Sequence, residues 1–119
     1  MYKVIFFVLM FLCVGGTAIA ASTSHEGKIK EVWVFSDNWG TYTESNNYGI
    51  VGIYMDPPLP KGCGTGDIRV AVSSKHPIYK SVLSTALAAK ALGATVQVYY
   101  LDTCTVRSNS WDFGFIKIK

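Results

Sequence analysis

The chain is short of most of what signals a reactive centre. It has two histidines and three cysteines in 119 residues, too few for a zinc or iron–sulfur ligand set, and His25 and His76 stand in no ligand-like spacing. No paired carboxylates and no Ser/His/Asp set stand out, so enzyme chemistry is not expected and no cofactor or metal is called for. Charge of one sign is also scarce. The net formal charge is +3, too weak to draw in nucleic acid or an anionic membrane surface. No charge block or low-complexity tract points to a disordered tail. Apart from the first 20 residues there is no apolar run of the roughly 18 residues a membrane helix needs, so no membrane span is expected.

Those first 20 residues differ from the rest. Lys3 precedes an unbroken apolar run from Val4 to Val14, then Gly15, Gly16 and Thr17 lead to Ala18, Ile19 and Ala20. A positive start, a short apolar core and small residues before a cut are the three parts of a secretory signal peptide. Cleavage is expected after Ala20, giving an exported chain that is secreted or periplasmic. Residues 21–119 are then a single small domain, with enough length for one core.

Removing the leader also removes Cys13 and leaves Cys63 and Cys104. In an oxidising compartment an even pair in a small domain is expected to form a disulfide.

Along this domain, residues 21–27 are small and polar and are taken as a mobile start. Five stretches carry the β-branched and aromatic composition or the alternation of strands: 28–35 (KIKEVWVF), 48–55 (YGIVGIYM), 67–72 (DIRVAV), 95–101 (TVQVYYL) and 111–119 (WDFGFIKIK). Gly49 and Gly52 in the second suit a bend or a bulge in a closing sheet. Pro57, Pro58 and Pro60 make the next segment a loop. Between the third and fourth strands lies a helix. Ser73 and Ser74 offer capping hydroxyls, Pro77 suits its first turn and Gly93 its stop. Tyr79, Val82, Leu83, Ala86, Leu87 and Ala91 follow the spacing of one buried face.

The order β-β-β-α-β-β makes the expected fold mainly β with one helix, an OB-fold-like five-stranded Greek-key barrel. An open α+β sheet backed by one helix uses the same elements.

The block DIRVAVSSKHPIYKSVLSTALAAKALGATVQVYYL, residues 67–101, resembles in pattern the strand–helix–strand block of OB-fold B subunits of bacterial AB-type toxins. The run from Ala71 to Lys75 is closest to the subtilase/pertussis-like type; the ending, Trp111 before an alternating strand, is similar to the cholera/heat-labile type. The resemblance implies a ring pentamer, a homo-oligomer that binds a cell-surface glycan and delivers a catalytic A subunit. The alternative is an orphan exported OB-fold protein that binds a protein partner.

Two places have the chemistry of sugar recognition. Residues 36–47 (SDNWGTYTESNN) form a connection longer than a hairpin needs, and long structureless loops are often functional. Asp37, Asn38, Asn46 and Asn47 supply donors and acceptors, while Trp39 and Tyr42 supply flat apolar faces. The bland reading is a solvated loop whose Trp39 folds back on the barrel. Trp111, beside Arg107, Ser108, Asn109 and Ser110, is either a second sugar platform or a core plug. Tyr99 and Tyr100 point to opposite faces of their strand, one inward and one exposed. The glycines around Cys63 lack the Lys-Ser/Thr of a phosphate loop.

Overall fold

The computed structural model describes residues 22–36, 49–63 and 68–119. Residues 1–21, 37–48 and 64–67 lie outside it. Alternation of apolar residues builds five strands: β1 (Ser22–Phe35), β2 (Ile50–Asp56), β3 (Arg69–Ser73), β4 (Thr95–Leu101) and β5 (Ser110–Ile118), with the helix α1 (Tyr79–Leu92) between β3 and β4. The sheet closes on itself in the order β1-β2-β3-β5-β4. All neighbours are antiparallel except β3 and β5, which run parallel. This is the OB-fold arrangement, and the open-sheet alternative does not hold.

β1 is the strand that closes the barrel. Its first half, Ser22 to Lys28, pairs with β4, and its second half, Lys28 to Phe35, pairs with β2. The segment taken for a mobile start is thus strand from residue 22. It was hidden because its side chains are largely exposed; the backbone ladder to β4 holds it rather than an apolar face. The register slips not at Gly49 or Gly52 but between Ile29 and Glu31 on β1, and between Tyr99 and Tyr100 on β4 opposite Gly114. A Cβ at Gly114 would lie 2.7 Å from the Tyr99 carbonyl oxygen, so that bulge needs glycine. Gly52 has another reason: a Cβ there would come 2.9 Å from Arg69 Cδ, which lies across it.

Inside the barrel Val51, Ile53, Val70, Val96 and Val98 are fully buried. The helix closes one end through Val82, Ala86 and Ala89, with Tyr79 and Leu83 partly buried. The expected face was offset: Leu87 is half exposed and Ala91 exposed. Ser73 and Ser74 do not cap the helix. His76 N–H donates to Ser73 O and Tyr79 N–H to His76 O, so two turns intervene and the helix starts without a side-chain cap. Gly93 ends it as expected, at φ 61°, with its N–H returning to the last turn. No helix among the described residues is long and apolar enough to cross a membrane.

The cysteines meet as expected: Cys63 and Cys104 form a disulfide with Cα atoms 6.2 Å apart. It ties the proline-rich loop after β2 to the connection between β4 and β5.

Candidate functional site

Residues that alternate away from the core on β1, β2, β3 and β5 gather on one outer face. On β1 these are Glu31, Trp33 and Phe35; on β2 Gly52 and Tyr54; on β3 Arg69; on β5 Ser110 and Asp112. Trp33 is 38 % exposed. Its ring is tilted at 53° to that of Tyr54, centroids 5.6 Å apart, and its Nε1–H donates to Glu31 Oε2 at 2.7 Å. Together they offer a fixed aromatic platform with a carboxylate at its edge.

Beside it Arg69 is almost fully buried, 7 % exposed, and acts as the hub. Its Nε donates to Ser110 Oγ at 2.9 Å, Nη1 to Tyr54 Oη at 2.7 Å and Nη2 to Asn109 Oδ1 at 3.1 Å. Its guanidinium also lies 5.1 Å from the Phe35 ring centroid, and that of Arg107 lies 5.0 Å from the same ring. A buried cation is tolerable only with such charge-assisted hydrogen bonds and ring contacts. The result fixes the Tyr54 hydroxyl and the Asn109 amide relative to each other, although they come from distant parts of the chain.

The connection from β4 to β5 is shaped by Asp112. Its carboxylate accepts from Thr103 Oγ1 at 2.6 Å, Thr105 Oγ1 at 2.7 Å, and the N–H groups of Thr105 and Val106 at 2.9 and 3.1 Å. Burial alone would push this carboxyl up. The hydrogen bonds from Thr103, Thr105 and Val106 outweigh it and hold it below the ordinary carboxylate range. The loop that carries Arg107 and Asn109 is therefore folded around a buried anion.

Of the residues expected to bind, Asp37, Asn38, Trp39, Tyr42, Asn46 and Asn47 lie outside the described residues. The strand that leads into their loop ends at Phe35, on this same face. Trp111 sits in the core, 8 % exposed. Its ring centroid is 5.2 Å from that of Tyr100, and its Nε1–H donates to Pro60 O at 2.9 Å. It occupies the plug position, with its one polar atom engaged inside the protein. Tyr100 is the inward tyrosine; Tyr99 is the outward one, stacked on Phe115 at 4.1 Å. Sequence reasoning missed Trp33, Tyr54 and Arg69. The alternation in KIKEVWVF already set Trp33 and Phe35 on one side of their strand, but nothing in the order of residues showed that side to be the outer one.

Such an arrangement can hold a ligand that has both apolar faces and hydroxyl groups. It presents a half-exposed indole, a carboxylate and a phenol hydroxyl on strands β1 and β2 and an amide on the β4–β5 connection, the hydroxyl and the amide held by a buried guanidinium. Compared with models of known families and with curated proteins, the chain matches none.

Proposed function

We propose that this chain is an exported glycan-binding module, of the kind its resemblance to toxin B subunits implies, and that the outer face around Trp33 is part of its sugar site. The observation that carries this is the Trp33–Tyr54 platform next to the Arg69–Asn109–Ser110 cluster. Sugars present C–H patches on the ring face and hydroxyls at the rim, which suits an aromatic plane bordered by a carboxylate and planar amides. In OB-folds the connection between the first two strands and that between the last two are usual ligand-contacting loops. Here β1 leads from Trp33 into the Trp39-bearing loop, while Asn109 lies on the β4–β5 connection. Delivery of a catalytic subunit belongs to the same reading, through the resemblance alone.

A glycan array with the oxidised protein tests it. Binding to a defined set of glycans is expected, reduced at least tenfold by Trp33→Ala, Trp39→Ala or Asn38→Ala. Array binding that survives all three substitutions removes this surface as the site. No glycan binding at all, together with capture of a protein ligand, favours the partner-binding alternative.

A further inference from the structure

One row of side chains crosses four strands on the outer face. Glu31 stands opposite Tyr54. Tyr54 lies one step beyond the Ile53–Val70 pair, level with Arg69, and Arg69 stands opposite Ser110. The row therefore runs from a carboxylate, across a phenol, to a guanidinium and a hydroxyl. Each group on it has a fixed hydrogen-bond polarity. Arg69 can only donate, and its Nη1 donates to the Tyr54 oxygen at 2.7 Å. The Tyr54 hydroxyl proton must then turn away from Arg69, and among the described residues it meets no acceptor. The same logic orients Asn109. The atom that faces Arg69 Nη2 at 3.1 Å has to be the amide oxygen, which also accepts from Ser110 Oγ at 3.1 Å. Both of its lone pairs are used, and the –NH₂ is left with no acceptor among the described residues.

Arg69 thus occupies the acceptors of its neighbours and leaves two donors, a phenol O–H and an amide –NH₂. They sit on the two terminal nitrogens of one guanidinium, so they belong to one small area of the face. The Glu31 end is its complement. An ionised carboxylate can only accept; Trp33 Nε1–H takes Oε2, and among the described residues no bond holds the other oxygen. Trp33 leans on Tyr54 beside this row, its ring tilted at 53°. Donors at one end, an acceptor at the other and an aromatic surface alongside make a demanding pattern. A group that fits it accepts twice, has an apolar part, and donates in the opposite direction.

We propose that this face recognises the acetamido group of an N-acylated amino sugar, an inference that rests on the reading of the Trp33 surface as a sugar site. In a trans amide the C=O and N–H point in opposite directions. The carbonyl oxygen has two lone pairs for Tyr54 O–H and Asn109 –NH₂, the N–H donates to Glu31, and the methyl packs on the Trp33 ring. A carboxylate on the sugar satisfies the two donors, but it has no proton for Glu31 and sets a like charge beside it. Arg69 does not reverse this by pairing directly, because it is almost fully buried and its bonds run inside the protein. A plain hydroxyl offers one atom as both donor and acceptor and brings no apolar group to the indole. Donors that a ligand leaves unpaired cost binding energy, and that cost is the source of the preference.

Titration of the oxidised protein with methyl glycosides, followed by NMR at the Trp33 indole N–H, tests it. N-acetylglucosamine and N-acetylgalactosamine are each compared with the parent hexose and with its uronic acid. At least one N-acetyl sugar is expected to bind about tenfold tighter than both of its counterparts. Equal affinity for the parent hexose, tighter binding of the uronic acid, or no response to any of these sugars overturns the acetamido site. The sugar reading is judged separately by the glycan array, and it stands where the array shows binding through Trp33 without this preference. Asn109→Asp keeps an oxygen for Arg69 and exchanges the –NH₂ for a second oxygen, so the preference is expected to fall to about parity. Tyr54→Phe removes the other donor and is expected to act in the same direction. A structural role alone weakens all the sugars alike, so a preference that survives in folded Asn109→Asp overturns the proposal. Should neither variant fold, the comparison of sugars on the parent decides by itself.

Discussion

Asp112 receives both the backbone N–H and the hydroxyl of Thr105, at 2.9 and 2.7 Å, so one buried carboxylate closes the turn after β4. Its pKa is lowered on folding. The stabilisation is therefore fully present above the unfolded value, about 3.9, and is lost as the pH falls through the lower folded value. Acid should loosen the loop carrying Arg107 and Asn109 only below about pH 4. Asp112→Asn keeps the shape but turns an amide –NH₂ towards at least some of these donors. A loss of about 2–3 kcal/mol is expected at neutral pH, with a flatter stability profile on acidification. Urea melts of both proteins at two pH values check it; an unchanged acid limb would move the anchor elsewhere.

Trp111 and Gly62 are a matched pair. A Cβ on Gly62 would overlap the six-membered ring of Trp111, whose N–H holds Pro60 O. Gly62→Ala must push the loop or the indole aside, at a cost of about 1–3 kcal/mol. Trp111→Ala should cost about 3–5 kcal/mol by emptying the plug. In thermal melts both should lose stability. Sugar binding by folded Gly62→Ala should persist, because Trp111 does not face the proposed site.

How much of this could be read along the chain depends on which force shapes each element. β4 alternates buried and half-buried residues from Thr95 to Leu101, and its bounds follow directly from TVQVYYL. The Cys63–Cys104 bond likewise follows from there being two cysteines after residue 20. The first half of β1 was not legible, since STSHEG is held by backbone bonds to β4 and has no apolar rhythm. Nor was the helix start, because a serine can cap a helix or accept within a turn; Ser73 Oγ accepts from Lys75 N–H. The Arg69 hub was beyond reach for a different reason: its partners Tyr54, Asn109 and Ser110 are 15 to 41 residues away. Only the closing of the barrel brings them together.

Reducing the disulfide should weaken the barrel without dismantling the strand order. Cys63 and Cys104 are separated by 41 residues, and closing a loop of that size stabilises a fold by about 3–4 kcal/mol in the chain-entropy model. Cys63→Ser with Cys104→Ser should lower stability by about that amount, and the parent should show a mass deficit of two hydrogens against the reduced chain. Equal denaturation midpoints for oxidised and reduced protein would mean that Trp111 and Asp112 hold the two loops by themselves.

Arg69→Lys distinguishes a positioned site from a merely charged one. Lysine keeps the cation but cannot reach Ser110, Tyr54 and Asn109 with one planar fork, nor stack on Phe35 in the same way. Burying an ammonium with fewer bonds is expected to cost about 2–3 kcal/mol of stability. It should also release the Tyr54 hydroxyl and the Asn109 amide from their fixed spacing. Glycan affinity should then fall in Arg69→Lys even where the protein remains folded, and the Trp33→Ala, Arg69→Lys double variant should lose less than the sum of the single losses, since both changes act on one platform. Titration of the four proteins against the best array ligand measures that coupling. Strict additivity would mean that Arg69 supports the barrel and leaves the Trp33 face to bind alone.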